Sequence, residues 1–238
     1  MTGLETVLRE RSEPAAVAWL DESLAAVAAD PTAVRSRFAA AGRKVGRGPL
    51  HPDDEAGDLF AWTVDDAARV VLLAALGTGV VDELPGLYRH GDAAERRGVL
   101  RALAVVPVGE AGLPIVDDAL RTNDLRLVAA AMGPYALTRL DDPALAQAVL
   151  KCVFMGIPVG RIDGLDRRVT PEMARMLAGY VHERIAAGRD VPGDVWPLID
   201  RHPPPEEIAA IEAEVDSTVP ERRSAALAAL ALRRTPSP

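Results

Sequence analysis

The sequence predicts an all-α protein, built either as a helical-repeat (HEAT-like) α-solenoid or as an irregular helical bundle. Three observations carry that expectation. Hydrophobic residues make up 49% of the 238 residues but aromatics only 4%. The core must therefore be built from Ala, Leu and Val, which suits close helix packing better than a sheet. Apolar residues recur at helical spacing, and no run alternates with a period of two. Proline and glycine stand where helices start and stop, as in Asp30-Pro31, Gly42, Thr170-Pro171 and Gly188.

Taken in order, residues 3–12 form a short helix, and Pro14 opens a second that runs to about Ala29. Its Val17, Leu20, Leu24 and Val27 share one face. Asp30 caps a third helix to about Ala41, which Gly42 ends. Residues 43–62 are rich in breakers and read as a loop carrying His51, Asp53, Asp54, Glu55 and Asp58. Thr63 or Asp65 caps the next helix, 65–76. Further helices follow at 80–89, 92–105, 109–121, 123–139 and 142–155. After a loop at 156–169, Thr170, Pro171 and Glu172 give the helix 171–187 a cap, a first-turn proline and a favourable first-turn charge. A short helix at Trp196 precedes Pro203-Pro204-Pro205, and helices at 205–216 and 220–234 close the chain.

A single helical domain is expected over 1–238. It holds N-terminal helices at 1–42, the loop 43–62, a repeat region at 63–155, a candidate functional segment at 156–200 and C-terminal helices at 205–234. The repeat rests on a recurring pattern. Arg69-x-x-x-Leu73-x-Ala75-Leu76 returns at Arg96 to Leu103 and at Arg223 to Leu230. In each unit the Leu residues should bury while the Arg stays outside. Stacked helix pairs of this kind resemble HEAT repeats, which run somewhat longer at roughly 40 residues. Chance recurrence in an Ala/Leu-rich chain is the alternative, and it gives the irregular bundle.

Charge and composition narrow the function. A net charge of −8 argues against nucleic acid as a partner. The single Cys152 allows no internal disulfide and lies among apolar neighbours, so an inert buried thiol is expected. The charged N-terminus has no signal core. The longest uncharged runs, 70–81 and 127–138, are far short of the roughly 20 residues that span a bilayer. A soluble, cytoplasmic protein without a transmembrane segment is expected. Nucleotide-binding, serine-hydrolase and His-Glu-x-x-His patterns are absent from the sequence, and no cofactor is expected. His51 with Asp53, Asp54 and Glu55 offers donors for a divalent ion, but acidic loop residues are ordinarily solvated surface.

The chemical character of the chain changes between Lys151 and Trp196. An apolar helix end breaks at Gly156 and Pro158. The loop then carries Arg161, Asp163, Asp166, Arg167 and Arg168, and the next helix carries Glu172, Arg175, Tyr180, His182 and Glu183. Ala174, Leu177, Ala178, Val181 and Ile185 form that helix's core stripe, which leaves the charged residues on the other arc. One reading is a polar pocket. Arg161, Arg167, Arg168, Arg175 and His182 would offer donors to a phosphate or carboxylate, while Asp163, Asp166 and Glu172 hold them. Lys151, Tyr180, Glu183 and Trp196 complete this candidate ligand-binding set. Solvated ion pairs and a protein-docking surface are the other two readings.

The run Leu150-Lys151-Cys152-Val153-Phe154, Gly156 and Pro158, then Gly164-Leu165-Asp166 and Arg168, Pro171-Glu172, Ala174-Arg175-Met176-Leu177, Tyr180, Glu183-Arg184, Ala186-Ala187-Gly188-Arg189 and Trp196 resembles the EboA-like family. Ile185 stands where that pattern leads one to expect a tryptophan. The resemblance is specific over this C-terminal third and general over 1–140. It implies a role in making or moving a small metabolite, beside a prenyltransferase-like membrane protein, a TatD-like hydrolase and sugar-type enzymes encoded in the same gene cluster. It implies no catalytic residues. The expected function is non-catalytic assistance to the biosynthesis or trafficking of a small metabolite. The protein would bind that small polar metabolite or another protein of the cluster. The alternatives are an enzyme using His182 or Glu183 as acid/base, and a pure protein scaffold.

Overall fold

The structure is a computed structural model that describes residues 2–55 and 57–234. Among the described residues it is all-α, with one isolated bridge pairing Pro49 and Thr63. The helices are α1 (Thr2–Arg11), α2 (Pro14–Ala29), α3 (Val34–Lys44), α4 (Val64–Ala74), α5 (Val80–His90), α6 (Ala93–Ala102), α7 (Leu113–Arg121), α8 (Leu125–Ala131), α9 (Pro134–Arg139), α10 (Asp142–Met155), α11 (Pro171–Ala186), α12 (Trp196–Ile199), α13 (Pro205–Ala213) and α14 (Pro220–Arg234). They gather into two compact units that divide between Arg139 and Leu140, inside the stretch 63–155 read from sequence as one region.

The first unit is organised around α4. Every residue from Val64 to Leu73 is buried, with α1, α2, α3 and α6 packed against it. α6 in turn packs on α5 and α8, and α8 on α7. Thr63 caps α4 by accepting from the Asp66 backbone N–H. Asp65 and Asp66 sit in the first turn, where the helix dipole favours negative charge.

The packing corrects four expectations. Arg69 does not stay outside: it is fully buried, donating to Asp65 one turn back and to the Phe38 carbonyl. The repeat leucines Leu73 and Leu100 are buried as expected, but the equivalent Leu227 is 53% exposed, so the third match lacks the role of the first two. Gly42 does not end α3, which continues to Lys44. A Cβ there would stand 2.7 Å from Arg47 Nε, so the glycine serves close approach. The helix expected at 123–139 is broken into α8 and α9, because Pro134 has no N–H to continue the ladder and instead opens α9.

Gly98 of α6 lets the Arg69 side chain pass, since a Cβ would meet Arg69 Cδ at 2.7 Å. Alanine would gain up to about 1 kcal/mol of helix propensity. Overpacking costs about 1–3 kcal/mol where the neighbour cannot yield, and Arg69 is held at both Nη1 and Nε. Gly98→Ala is therefore expected to destabilise by about 1 kcal/mol, read as a lower urea midpoint.

In the second unit α11 is central and packs on α10, α12, α13 and α14. Its core stripe Ala174, Leu177, Ala178, Val181 and Ile185 is buried as the spacing predicts. α10 ends at Gly156, whose φ of 75° allows the Gly156 and Ile157 N–H groups to close on the Val153 and Cys152 carbonyls. Among the described residues no single helix is long and apolar enough to cross a membrane. One bent pair, Val64–Ala74 with Gly77–His90, passes by composition, and its first member is the buried α4.

Candidate functional site

The loop before α4 is built, not loose. Leu50 N–H donates to the Trp62 carbonyl at 2.7 Å and Val64 N–H to the Gly48 carbonyl at 3.0 Å, so the loop's two ends are clasped. Leu50 anchors it in the core. A turn from His51 to Asp54 and an Asp58 side chain that accepts from the Phe60 N–H shape the rest.

Behind this loop lies a buried charge cluster. Asp66 is fully buried and takes both 3.0 and 2.8 Å hydrogen bonds from Arg97 Nε. Arg97 Nη2 also donates to Thr63 Oγ1 at 3.2 Å. Arg101, one turn further along α6, donates from Nη2 to the Ala61 carbonyl at 2.6 Å and lies 4.8 Å from the centre of the Trp62 ring. Its Nη1 stands 3.3 Å from Asp66 Oδ2 but makes no hydrogen bond, so the approach is an ion pair with the N–H misaimed. Two guanidinium groups thus share one carboxylate. Burial pulls the Arg101 pKa down, Asp66 opposes the shift and Arg97 adds to it.

A cleft of about 240 Å³ opens onto this cluster. It is lined by four arginines, Arg47, Arg97, Arg101 and Arg126, together with Asp54, Glu55 and Asp58 of the loop. Arg47, Arg97 and Arg126 also line a second hollow with Asp92 and Asp124. Arg101 is only 8% exposed, yet one of its donors is unused. Asp54 Oδ2, on the facing loop, is buried and likewise lacks a hydrogen-bond partner.

The residues predicted from the segment 151–196 take up several separate partners. Arg168 donates to the Leu140 carbonyl and to Asp142, both at 3.0 Å, near the start of α10. Arg175 pairs with Glu172 on its own helix and lies 3.8 Å from Glu207. The hydrogen bonds between the two raise the Arg175 pKa and lower that of Glu172. Asp166 pairs with Arg201, and His182 Nε2 lies 3.6 Å from Glu214. Arg161, Asp163, Arg167 and Glu183 are exposed, while Lys151 and Tyr180 are half-buried. Trp196 is in the core at 1% exposure, with the Arg233 guanidinium 5.3 Å from its ring centre. Cys152 is buried, and burial pushes its thiol up to about 12, so it stays protonated at neutral pH. Among the described residues no group of three His, Cys, Asp or Glu side chains is placed to hold a metal ion.

Sequence reasoning missed the arginine cleft. The available signal was the spacing: Asp65, Asp66 and Arg69 on one helix, then Arg97 and Arg101 on one face of another.

A family model described as metabolite traffic protein EboA matches residues 1–200. The chain belongs to the EboA family. The match takes in the whole arginine cleft as well as the segment 151–196, and stops before α13 and α14. No curated protein and no solved structure matches this EboA-family chain.

Proposed function

We propose that this EboA-family protein serves metabolite traffic by binding a small anionic metabolite in the cleft of its first unit, without transforming it. One observation carries the reading: Arg101, one of four arginines lining the cleft, has its Nη1 buried without a hydrogen bond, 3.3 Å from the Asp66 carboxylate that it shares with Arg97. A buried unsatisfied donor costs about 1–3 kcal/mol, and an incoming phosphate or carboxylate recovers it through a charge-assisted bond. Arg97, Arg47 and Arg126 add positive charge around the same opening. The volume is below the roughly 300–1,000 Å³ of drug-sized pockets, which suits a small metabolite.

The test is calorimetric titration with inorganic phosphate. Wild type is expected to bind, Arg101→Met to lose at least about tenfold, and Arg126→Gln severalfold, with all affinities falling as sodium chloride is raised. Since Arg126 is an exposed side chain, its variant reports on binding without disturbing the core. Unchanged affinity in both variants overturns the reading.

A second reading concerns the segment 151–196, as a seat for another protein of the same gene cluster. It is favoured by Phe154, which is 78% exposed near the C-terminus of α10. Phe154→Asp is expected to abolish co-purification with a co-expressed cluster protein while phosphate binding persists. Retained co-purification removes it.

A further inference from the structure

Two residues that line the cleft carry buried atoms of opposite kind that make no hydrogen bond. Arg101 Nη1, on the α6 side, is buried and makes no hydrogen bond, although it stands 3.3 Å from Asp66 Oδ2. Asp54 Oδ2 is an acceptor on the loop wall, buried and without a donor. Both residues line the same opening. An anion alone answers only the first. A carboxylate oxygen shut away from water without a donor is costly, and an approaching anion would worsen its position by like-charge repulsion. A molecule that accepts at one end and donates at the other would answer both.

We infer that the ligand carries a hydrogen-bond donor, hydroxyl or ammonium, a few atoms from its phosphate or carboxylate group, with the anion on Arg101 and the donor on Asp54. This rests on the reading of the cleft as an anion site and specifies the ligand class. The charges of the wall agree with such a polarity. On α6, Arg97 and Arg101 share the single carboxylate of Asp66, leaving positive charge in excess. On the loop, Asp54 is flanked by Glu55 and Asp58. A hydroxyl or ammonium directed to the loop meets acceptors, and an anion directed to α6 meets donors.

Size-matched probes test it. Ethyl phosphate has the anion alone, whereas 2-hydroxyethyl phosphate and 2-aminoethyl phosphate add a donor at nearly constant volume. 3-Hydroxypropanoate replaces the phosphate by a carboxylate. In titrations of the full chain, at least one donor-bearing probe is expected to bind about tenfold more tightly than ethyl phosphate. Asp54→Ala is expected to erase that gain, while ethyl phosphate, relieved of repulsion by the carboxylate, binds no more weakly than to wild type. Asp54 lies on a surface loop, and a far-UV spectrum and melt matching wild type confirm that the variant is folded. Ethyl phosphate binding as tightly as every donor-bearing probe, or a gain that survives Asp54→Ala, overturns the inference and leaves the anion site standing. If no phosphate and no carboxylate binds wild type, the anion site itself fails. Which donor-bearing probe binds best identifies the anion and the donor.

Discussion

Asp66→Ala is expected to lower the unfolding free energy by about 3–5 kcal/mol, the usual cost of removing one partner from a buried ion pair. The carboxylate is fully buried and is the shared counter-charge of Arg97 and Arg101, both themselves buried. Its loss leaves two guanidinium groups in a low-dielectric interior without compensation. It also removes a first-turn acid from the positive end of α4. Arg101→Met is expected to cost less, about 1–2 kcal/mol, because both oxygens of Asp66 keep the Arg97 Nε–H. Urea unfolding followed by far-UV circular dichroism checks both. Equal costs would mean that the two guanidiniums do not compete for one carboxylate.

Trp196→Ala is expected to cost a similar about 3–5 kcal/mol for a different reason, the cavity left by a large core side chain. Trp196 is the largest fully buried side chain, and Arg233, paired with Asp200, covers its ring. Its indole N–H has no hydrogen-bond partner, so Trp196→Phe forfeits no hydrogen bond and is expected to cost much less. Phosphate affinity of the first unit is expected to survive both. The two predictions therefore separate: Asp66→Ala affects stability and the cleft together, whereas Trp196→Ala affects stability alone. A Trp196→Ala variant as stable as wild type would remove Trp196 from the core.

Local chemistry was readable in the chain. The capped start at Thr170-Pro171, the span of α10 and the span of α14 follow from their proline, glycine and cap residues, since those signals act within one turn of the backbone. The core stripe of α11 follows from spacing alone. Tertiary packing decided the rest. Gly42 looked like a stop signal, but a glycine that admits Arg47 and one that ends a helix are the same letter. Arg69 reads from sequence as a solvent-facing member of a repeat; its partner Asp65 lies one turn back on the same helix, but its burial and its second acceptor, the Phe38 carbonyl, are decided only where α3 meets α4.

The same distinction applies to the site. The density of charge between Lys151 and Trp196 is a property of sequence, and it makes that segment the candidate when sequence alone is read. The arginine cleft is spread across the chain: Arg97 reaches Asp66 over 31 residues, and Arg101 reaches the Ala61 carbonyl over 40. By itself the sequence determined an all-helical chain, most helix boundaries and membership of a metabolite traffic family. Only the folded arrangement decided which charges are buried and which hydrogen-bonding atoms are left unmet. Burial and pairing depend on residues far apart in the chain, and composition and spacing carry no measure of that distance.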